Sequence, residues 1–184
     1  MALALPVTKK SPKRGSGLYR KLFTAANARK KKKKSNNQKV NIFTGSLVIF
    51  IFFLDQISKF FILRNLDINE SVPVIRNIFH VTLVQNTGAA FGIFKSGTLF
   101  FIVISILAVG AITVHLIRKP NISLLLNAAL SLILGGVLGN LFDRVRLGYV
   151  IDFLDFRVWP VFNVADSAIT IGVILLIFSL LRKK

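Results

Sequence analysis

The sequence contains no cysteine, only two histidines and only seven acidic residues among its 184 positions. The absence of cysteine excludes disulfide bonds, thiolate nucleophiles and cysteine-ligated metal sites. Neither His80 nor His115 has a second histidine or a carboxylate three or four residues away, so their spacing does not favour a metal site. We therefore expect no metal and no other cofactor, and any reaction must rely on carboxylates, amides, hydroxyls and cations.

Long apolar runs are abundant, and the composition is too apolar for an ordinary soluble domain, with 53% hydrophobic residues and a mean hydropathy of +0.65. A spanning helix needs about 20 apolar residues, and four runs qualify: about 42–63, 98–117, 122–141 and 161–181. They predict an α-helical integral membrane protein with four transmembrane helices. Between the first two runs, short alternation of β-branched and aromatic residues predicts two to four strands.

Basic residues outnumber acidic ones, since 25 Lys and Arg give the chain a net charge of +18. The excess lies in residues 1–41, in the loop between the second and third runs, and at the C-terminus. The positive-inside rule places these segments in the cytoplasm, so loops 64–97 and 142–160 face outward. Residues 1–41 lack hydrophobic periodicity, and we expect a disordered extension that contacts anionic lipid and has no specific nucleic-acid partner. The membrane domain then covers residues 42–184.

Polar residues inside apolar helices are informative, because an ionised group in a membrane is costly and marks a bundle interior or a site. Asp55 and Lys59 are four residues apart, which predicts an ion pair on one helix face. Three groups share one level near the outward end of the predicted helices: Asp55 with Lys59, Asn140 with Asp143 and Arg144, and Asn163 with Asp166. Taken singly, each group also fits an interfacial pair or helix packing, and the Asn86–Gly88 segment fits a simple turn. The shared level favours a site.

Residues 148–168 bring together three of the few carboxylates in the chain, Asp152, Asp155 and Asp166. Two carboxyl groups held close share a proton, so that one activates a water while the other polarises a carbonyl, as in aspartic proteases. Spacing alone does not choose between Asp152 and Asp155. A small transporter or channel that relays ions through the same charges is the alternative, although it predicts polar groups throughout the membrane depth. A structural subunit of an assembly is a third hypothesis.

Four motifs in a fixed order carry a family resemblance: FLDQISK (53–59), VQNTGAAFGIF (84–94), GNLFDRVRLGYVIDF (139–153) and PVFNVADSAI (160–169). With these motifs the chain resembles the lipoprotein signal peptidases, or signal peptidase II, over residues 42–182. The resemblance implies an aspartic endopeptidase of the bacterial cytoplasmic membrane. Its substrates would be diacylglyceryl-modified prolipoproteins, cleaved just before the modified cysteine. Residues 1–41 lie outside the resemblance.

The resemblance also assigns roles to individual residues. Carried over by motif, it makes Asp152 and Asp166 the catalytic pair and leaves Asp155 as an interfacial or helix-capping carboxylate. The residues it assigns to substrate binding and support are Asp55, Lys59, Asn86, Gly88, Asn140, Asp143, Arg144 and Asn163. It implies a small extracytoplasmic β-cradle between the first two helices and a short helical stretch near 147–157. We expect a monomer with both termini in the cytoplasm and its active site near the outer leaflet, where substrate enters from the membrane lipid.

Overall fold

The computed structural model describes residues 17–88, 97–118 and 122–182, without the side chains of 18, 19, 22 and 32–41. Its helices are α1 (Gly17–Asn65), α2 (Gly97–Arg118), α3 (Leu124–Leu147) and α4 (Val164–Leu181). Each helix contains a segment long and apolar enough to cross a membrane, and the segment in α1 is Ile42–Asn65. The predicted four-helix membrane fold is therefore confirmed.

The first helix begins upstream of the apolar run, at Gly17, where the sequence had suggested a structureless extension over 1–41. The segment from 18 to 41 contains neither proline nor glycine, and its seven Lys, two Arg and three Ala favour helix. The chain divides into two units between Gln38 and Lys39, and the described side chains of the upstream unit, between Gly17 and Lys31, are exposed. Residues 1–16 lie outside the described residues.

Three strands form an antiparallel sheet in the order β1 (Ser71–Ile75), β2 (Phe79–Asn86) and β3 (Val150–Asp155). The two strands expected between the first two helices are present, and β3 comes from the connection between α3 and α4. The helical stretch implied near 147–157 is wrong. Gly148 ends α3 in the left-handed conformation with φ 83°, and the β-branched residues that follow it suit a strand paired with β2.

Glycines allow α3, the most buried of the four spans, to approach its neighbours closely. A Cβ added at Gly139 would lie 2.5 Å from Oδ2 of Asp55 on α1, and a Cβ at Gly136 would collide with the carbonyl oxygen of Ala165 on α4. Small residues on α3 thus permit the close packing of neighbouring helices. They bring polar groups of α1 and α4 against the same end of α3.

Candidate active site

The two aspartates of β3 point to opposite sides of the sheet. Asp152 and Asp155 are three residues apart, and successive side chains of a strand alternate between its faces. Asp152 faces the polar ends of α3 and α4, where it bonds to Asn163, whereas Asp155 bonds to Thr82 of β2. Strand geometry thus distinguishes Asp152 from Asp155, which the spacing in the sequence alone could not do.

Asp152 is buried, with 1% of its surface exposed, and two amide side chains hold its carboxylate oxygens. Nδ2 of Asn86 donates to Oδ2 at 2.8 Å, and Nδ2 of Asn163 donates to Oδ1 at 2.7 Å. Burial raises the pKa of Asp152 to about 7; the bonds from Asn86 and Asn163 oppose this shift, while the nearby Asp166 carboxylate adds to it. Asp152 is therefore poised to exchange a proton near neutral pH.

Asp166 is positioned by the start of α4. Asn163 is the N-cap residue, its side chain accepts from the backbone N–H of Asp166, and Oδ2 of Asp166 accepts from the backbone N–H of Asn163. The other oxygen of Asp166 accepts from Nδ2 of Asn140 at 2.8 Å. Asn163 consequently contacts both Asp152 and Asp166, so one residue links the two carboxylates predicted as the catalytic pair.

A short backbone connection brings Asn163 to β3. The backbone N–H groups of Phe153 and Leu154 both donate to the carbonyl oxygen of Phe162, at 3.0 and 2.7 Å. The N–H of Phe162 donates back to the carbonyl of Leu154 at 3.1 Å. These bonds fold the connection from β3 to α4 onto the strand and place the N-cap beside Asp152.

Lys59 joins α1 to α3 through a buried ion cluster. Its ammonium lies 2.8 Å from Oδ2 of Asp55 and 2.7 Å from Oδ2 of Asp143, and it donates to Oδ1 of Asn140 at 3.0 Å. The Asp55–Lys59 ion pair predicted from their spacing is thereby confirmed, and both side chains are buried. Oδ1 of Asp55 also accepts from the backbone N–H of Ala165, which secures the first turn of α4.

Gln56 also belongs to this cluster, although it was not predicted as a site residue from the sequence. Its side-chain amide donates to Oδ1 of Asp143 at 2.9 Å, to Oδ2 of Asp55 at 3.1 Å and to the carbonyl of Gly139 at 3.2 Å. A neutral polar side chain within an apolar helix is the signal that could have identified it, because such groups bond across helices.

Arg144 does not form the pair with its neighbour Asp143 that the sequence suggested. Asp143 is paired with Lys59 instead, whereas the Arg144 guanidinium lies 4.9 Å from the centre of the Phe101 ring. Among the described residues, its buried Nε has no hydrogen-bond partner. The guanidinium thus retains donor capacity beside the two amide-held carboxylates.

The turn after β2 positions Asn86. The backbone N–H of Gly88 donates to Oδ1 of Asn86 at 2.8 Å, and this leaves the Nδ2 group aimed at Asp152. Gly88 has φ 93°, and a Cβ there would collide with the ring of Phe101, so both backbone and space require glycine. The rest of the motif, residues 89–96, lies outside the described residues.

Asp155 has a separate role in the turn that follows β3. Its carboxylate accepts from the backbone N–H of Arg157 at 2.8 Å and from the Thr82 hydroxyl at 2.8 Å, and it pairs with the Arg157 guanidinium at 2.9 Å. Burial by itself would raise the pKa of Asp155, but these hydrogen bonds outweigh it and lower the pKa below its usual range. It therefore caps a turn, and the suggestion that it caps a helix is wrong.

Four membrane-length helices and a small sheet bring the carboxylates of Asp152 and Asp166 onto a shared partner, Asn163. This arrangement is that of a polytopic membrane enzyme with the side chains of an aspartic peptidase. Residues 47–182 match the family described as signal peptidase (SPase) II, peptidase A8.

Curated relatives and solved structures agree with this match. The lipoprotein signal peptidase of Halothermothrix orenii is 44% identical over 138 residues, which cover 75% of this chain and 94% of that protein. That of Caldanaerobacter subterraneus subsp. tengcongensis is 49% identical, with 74% and 94% covered. A solved bacterial membrane enzyme is 36% identical with a TM-score of 0.71, covering 77% of this chain and 94% of that one. The chain belongs to the signal peptidase II family, and this excludes the transporter alternative.

Proposed function

We propose that this chain cleaves prolipoproteins immediately before the diacylglyceryl-modified cysteine, with Asp152 and Asp166 as the catalytic pair. The observation that carries the assignment is the contact of both carboxylates with Asn163. Membership of the signal peptidase II family supplies the reaction, the removal of signal peptides from prolipoproteins. The residue roles rest on geometry and charge.

The reaction requires the pair to share one proton. The ionised carboxylate accepts a proton from a water, whose oxygen attacks the scissile carbonyl carbon, while the protonated carboxyl donates its proton to the carbonyl oxygen. The tetrahedral intermediate then breaks at the C–N bond. The carboxyl that took the water proton gives it to the leaving amine of the lipid-bearing cysteine, and the other carboxylate recovers its proton from a hydroxyl of the intermediate. The raised pKa of Asp152, about 7, supports a dyad that retains one proton at neutral pH.

The neighbouring residues support this pair in different ways. The side-chain amides of Asn86, Asn140 and Asn163 orient the two carboxylates through the hydrogen bonds described above. Asp55, Lys59 and Asp143, together with Gln56, fasten α1 to α3 and to the start of α4. Nε of Arg144 has no hydrogen-bond partner in the described part of the chain, and Arg144 and Gly88 both lie against the Phe101 ring. Arg144 is therefore suited to donate to a backbone carbonyl of the substrate.

Membrane orientation follows from the charge distribution. The basic N-terminal segment, the loop between α2 and α3 and the basic C-terminus would lie in the cytoplasm of the bacterial inner membrane, and the sheet and dyad near the outer leaflet. The N-terminal segment would contact anionic lipid. Substrate would enter sideways from the bilayer, with its lipid against apolar helix surfaces.

Cleavage of a lipidated preprolipoprotein by purified protein tests the proposal. Asp152→Asn and Asp166→Asn should each abolish cleavage, because each removes one carboxyl group of the dyad. Asp155→Asn is the matched control on the same strand, and it should retain cleavage since Asp155 faces away from the dyad. Full activity in either dyad variant would refute the catalytic assignment. Equal cleavage of a peptide without lipid on its cysteine would refute the substrate assignment.

A further inference from the structure

An apolar cleft lies at the end of the bundle opposite to the proposed dyad. Both α2 and α4 pack on α3, and the cleft between them has a volume of about 450 Å³. Leu180 lines this cleft and is 14 residues from Asp166 on α4, a distance of about 21 Å along the helix. The other apolar side chains of its lining include Ala111 of α2, Leu126 and Leu130 of α3, and Leu176 of α4. The cleft is therefore distinct from the proposed active site.

A single histidine interrupts this apolar lining, among the residues that the structure describes. His115 is in the last turn of α2, and its Nε2 atom is buried without a hydrogen-bond partner in the described part of the chain. A buried polar atom without a partner is costly, most of all in a membrane, where no water is available to satisfy it. The cleft therefore favours a ligand that brings a hydrogen-bonding group to His115 and apolar atoms to the remaining surface.

The charges beside this end of the cleft are positive. Arg118 ends α2 and Arg182 caps α4, and both side chains are exposed. The sequence contains no acidic residue in 71–142 or in 167–184, and it places three further cations next to these arginines, Lys119, Lys183 and Lys184. Basic residues between the ends of transmembrane helices attract anionic lipid headgroups. Charge complementarity therefore favours an anionic ligand.

The length of the cleft matches one leaflet of a membrane. Its lining on α3 extends from Ile122 to Leu130, and eight residues along a helix span about 12 Å. The hydrocarbon of one leaflet is about 15 Å deep, half of a core of about 30 Å. A transmembrane helix of a partner would need a groove along the whole core. An acyl chain fits the shorter cleft and requires no polar partner along its length.

We propose that this cleft binds one anionic phospholipid, with an acyl chain against Leu126 and Leu130 and its phosphate group near His115, Arg118 and Arg182. The lipid fills the space between α2 and α4, and its headgroup supplies the hydrogen-bond partner that Nε2 of His115 lacks. In the membrane orientation proposed above, it belongs to the cytoplasmic leaflet. The inference goes beyond the proposed function, because this lipid is neither substrate nor product.

Counting the lipids that remain bound to the full chain tests the proposal. The protein in neutral detergent is mixed with dioleoylphosphatidylglycerol or dioleoylphosphatidylcholine and measured by native mass spectrometry. At about 0.5 M ammonium acetate the Debye length is only about 4 Å, so attraction of lipid to the basic N-terminal segment is screened. One phosphatidylglycerol per chain should remain bound, and phosphatidylcholine should not. Equal retention of the two lipids, or of neither, would overturn the inference.

Two pairs of matched variants locate the lipid. Leu180→Trp should lose it because the indole occupies the space of the acyl chain, whereas Ile177→Trp, outside the cleft on the same helix, should retain it; the two residues are 56% and 52% exposed. Arg118→Gln should weaken phosphatidylglycerol binding about fivefold, as expected for the loss of one basic residue beside an anionic lipid. Arg64→Gln, at the exposed outer end of α1, should leave binding unchanged. Equal effects within either pair would overturn the inference.

The contact between the headgroup and His115 has its own test. His115→Leu should bind phosphatidylglycerol more weakly, and added phosphatidylglycerol should raise the Tm of the variant less than that of the unaltered protein. A His115→Leu protein with a higher Tm in detergent and unchanged phosphatidylglycerol binding would show that Nε2 does not meet the lipid. That result would overturn the proposed position of the headgroup.

Photocrosslinking identifies the occupant directly. Phosphatidylglycerol with a diazirine near the end of an acyl chain should label residues within 111–115, 126–130 or 176–180, located by mass spectrometry. Label confined to residues 1–41, or a dimer in native spectra that Leu180→Trp abolishes, would overturn the inference in favour of the basic segment or of a second copy of the chain. None of these measurements requires cleavage, so failure of the lipid site is distinguished from failure of the dyad, which Asp152→Asn and Asp166→Asn report.

Discussion

Replacing Lys59 with methionine should destabilise the protein strongly. Lys59 is 2% exposed, and its ammonium lies 2.8 Å from Asp55 and 2.7 Å from Asp143, which are equally buried. Methionine keeps most of the volume but leaves two carboxylates without their countercharge. Breaking a buried ion pair from one side costs about 3–5 kcal/mol, which for a chain of this size corresponds to a melting temperature lower by about 6–20 °C.

Thermal unfolding of the purified protein in detergent, followed by circular dichroism, measures this loss. Arg64→Met on the same helix is the control: Arg64 is exposed and contacts the Phe60 ring at 4.3 Å, a contact worth about 0.5–1 kcal/mol. Adding Asp143→Asn to Lys59→Met should recover part of the loss, because one stranded carboxylate is removed. A Lys59→Met protein as stable as Arg64→Met, or a double variant with fully additive losses, would refute the role of the ion cluster.

Other perturbations follow from the dyad and its supports. Activity should fall above an apparent pKa of about 7, as the proposed dyad loses the proton held at Asp152. Asn86→Ala should shift this alkaline limb of the pH profile up by about one pH unit, because the amide favours the ionised carboxylate. A kcat/KM pH profile whose alkaline limb does not move would contradict this. Gly139→Ala should cost about 1–3 kcal/mol in thermal unfolding, since its Cβ would lie 2.5 Å from Asp55 Oδ2. Asn163→Ala should lose about 1 kcal/mol of capping and most of kcat, and Asn163→Ser should restore the stability without restoring kcat; recovery of both would show that the amide is not needed.

The four helices could be predicted from sequence because membrane solvation acts on composition, and their apolar runs are long. Their ends were less predictable. The third helix was expected to stop near 141, yet α3 continues to Leu147, since Asp143 finds Lys59 within the bundle and needs no exit to water. Hydropathy reports lipid exposure, and a polar residue satisfied inside the protein does not end a helix.

The third strand was not predicted, because it is determined by pairing with a distant part of the chain. Residues Val150–Asp155 become a strand by pairing with β2, more than 60 residues earlier in the chain. The resemblance had placed a helical stretch there. Once the strand is known, its alternation assigns Asp152 and Asp155 to opposite faces, so the separation of these two carboxylates depends on a long-range contact that spacing alone does not contain.

The charged members of the candidate site were predictable because each ionised group in an apolar helix is costly and therefore conspicuous. Gln56 lies in the motif of Asp55 and Lys59 and makes three hydrogen bonds. Placing an uncharged amide in an apolar helix costs less free energy than placing a charge there, so Gln56 is a weaker indication of a site. Similar spacing was also misleading in one respect. Asn163 and Asp166 form a capping box at the start of α4, whereas Asn140 and Asp143, with the same spacing, lie inside α3 and bond to different partners.

The distribution of partners separates the carboxylates into two sets. Lys59 forms ion pairs with Asp55 and Asp143. Asp152 and Asp166 instead accept hydrogen bonds from the side-chain amides of Asn86, Asn140 and Asn163. A carboxyl group paired with a buried cation cannot accept a proton without stranding that cation. A neutral amide imposes a smaller penalty, because no unpaired charge is left behind when the carboxyl group takes up a proton. The proposed dyad passes a proton from water to a leaving amine in every turnover, and amide partners permit this transfer. Lys59, the single buried lysine among the described residues, instead pairs with Asp55 and Asp143, whose carboxylates hold the helices together.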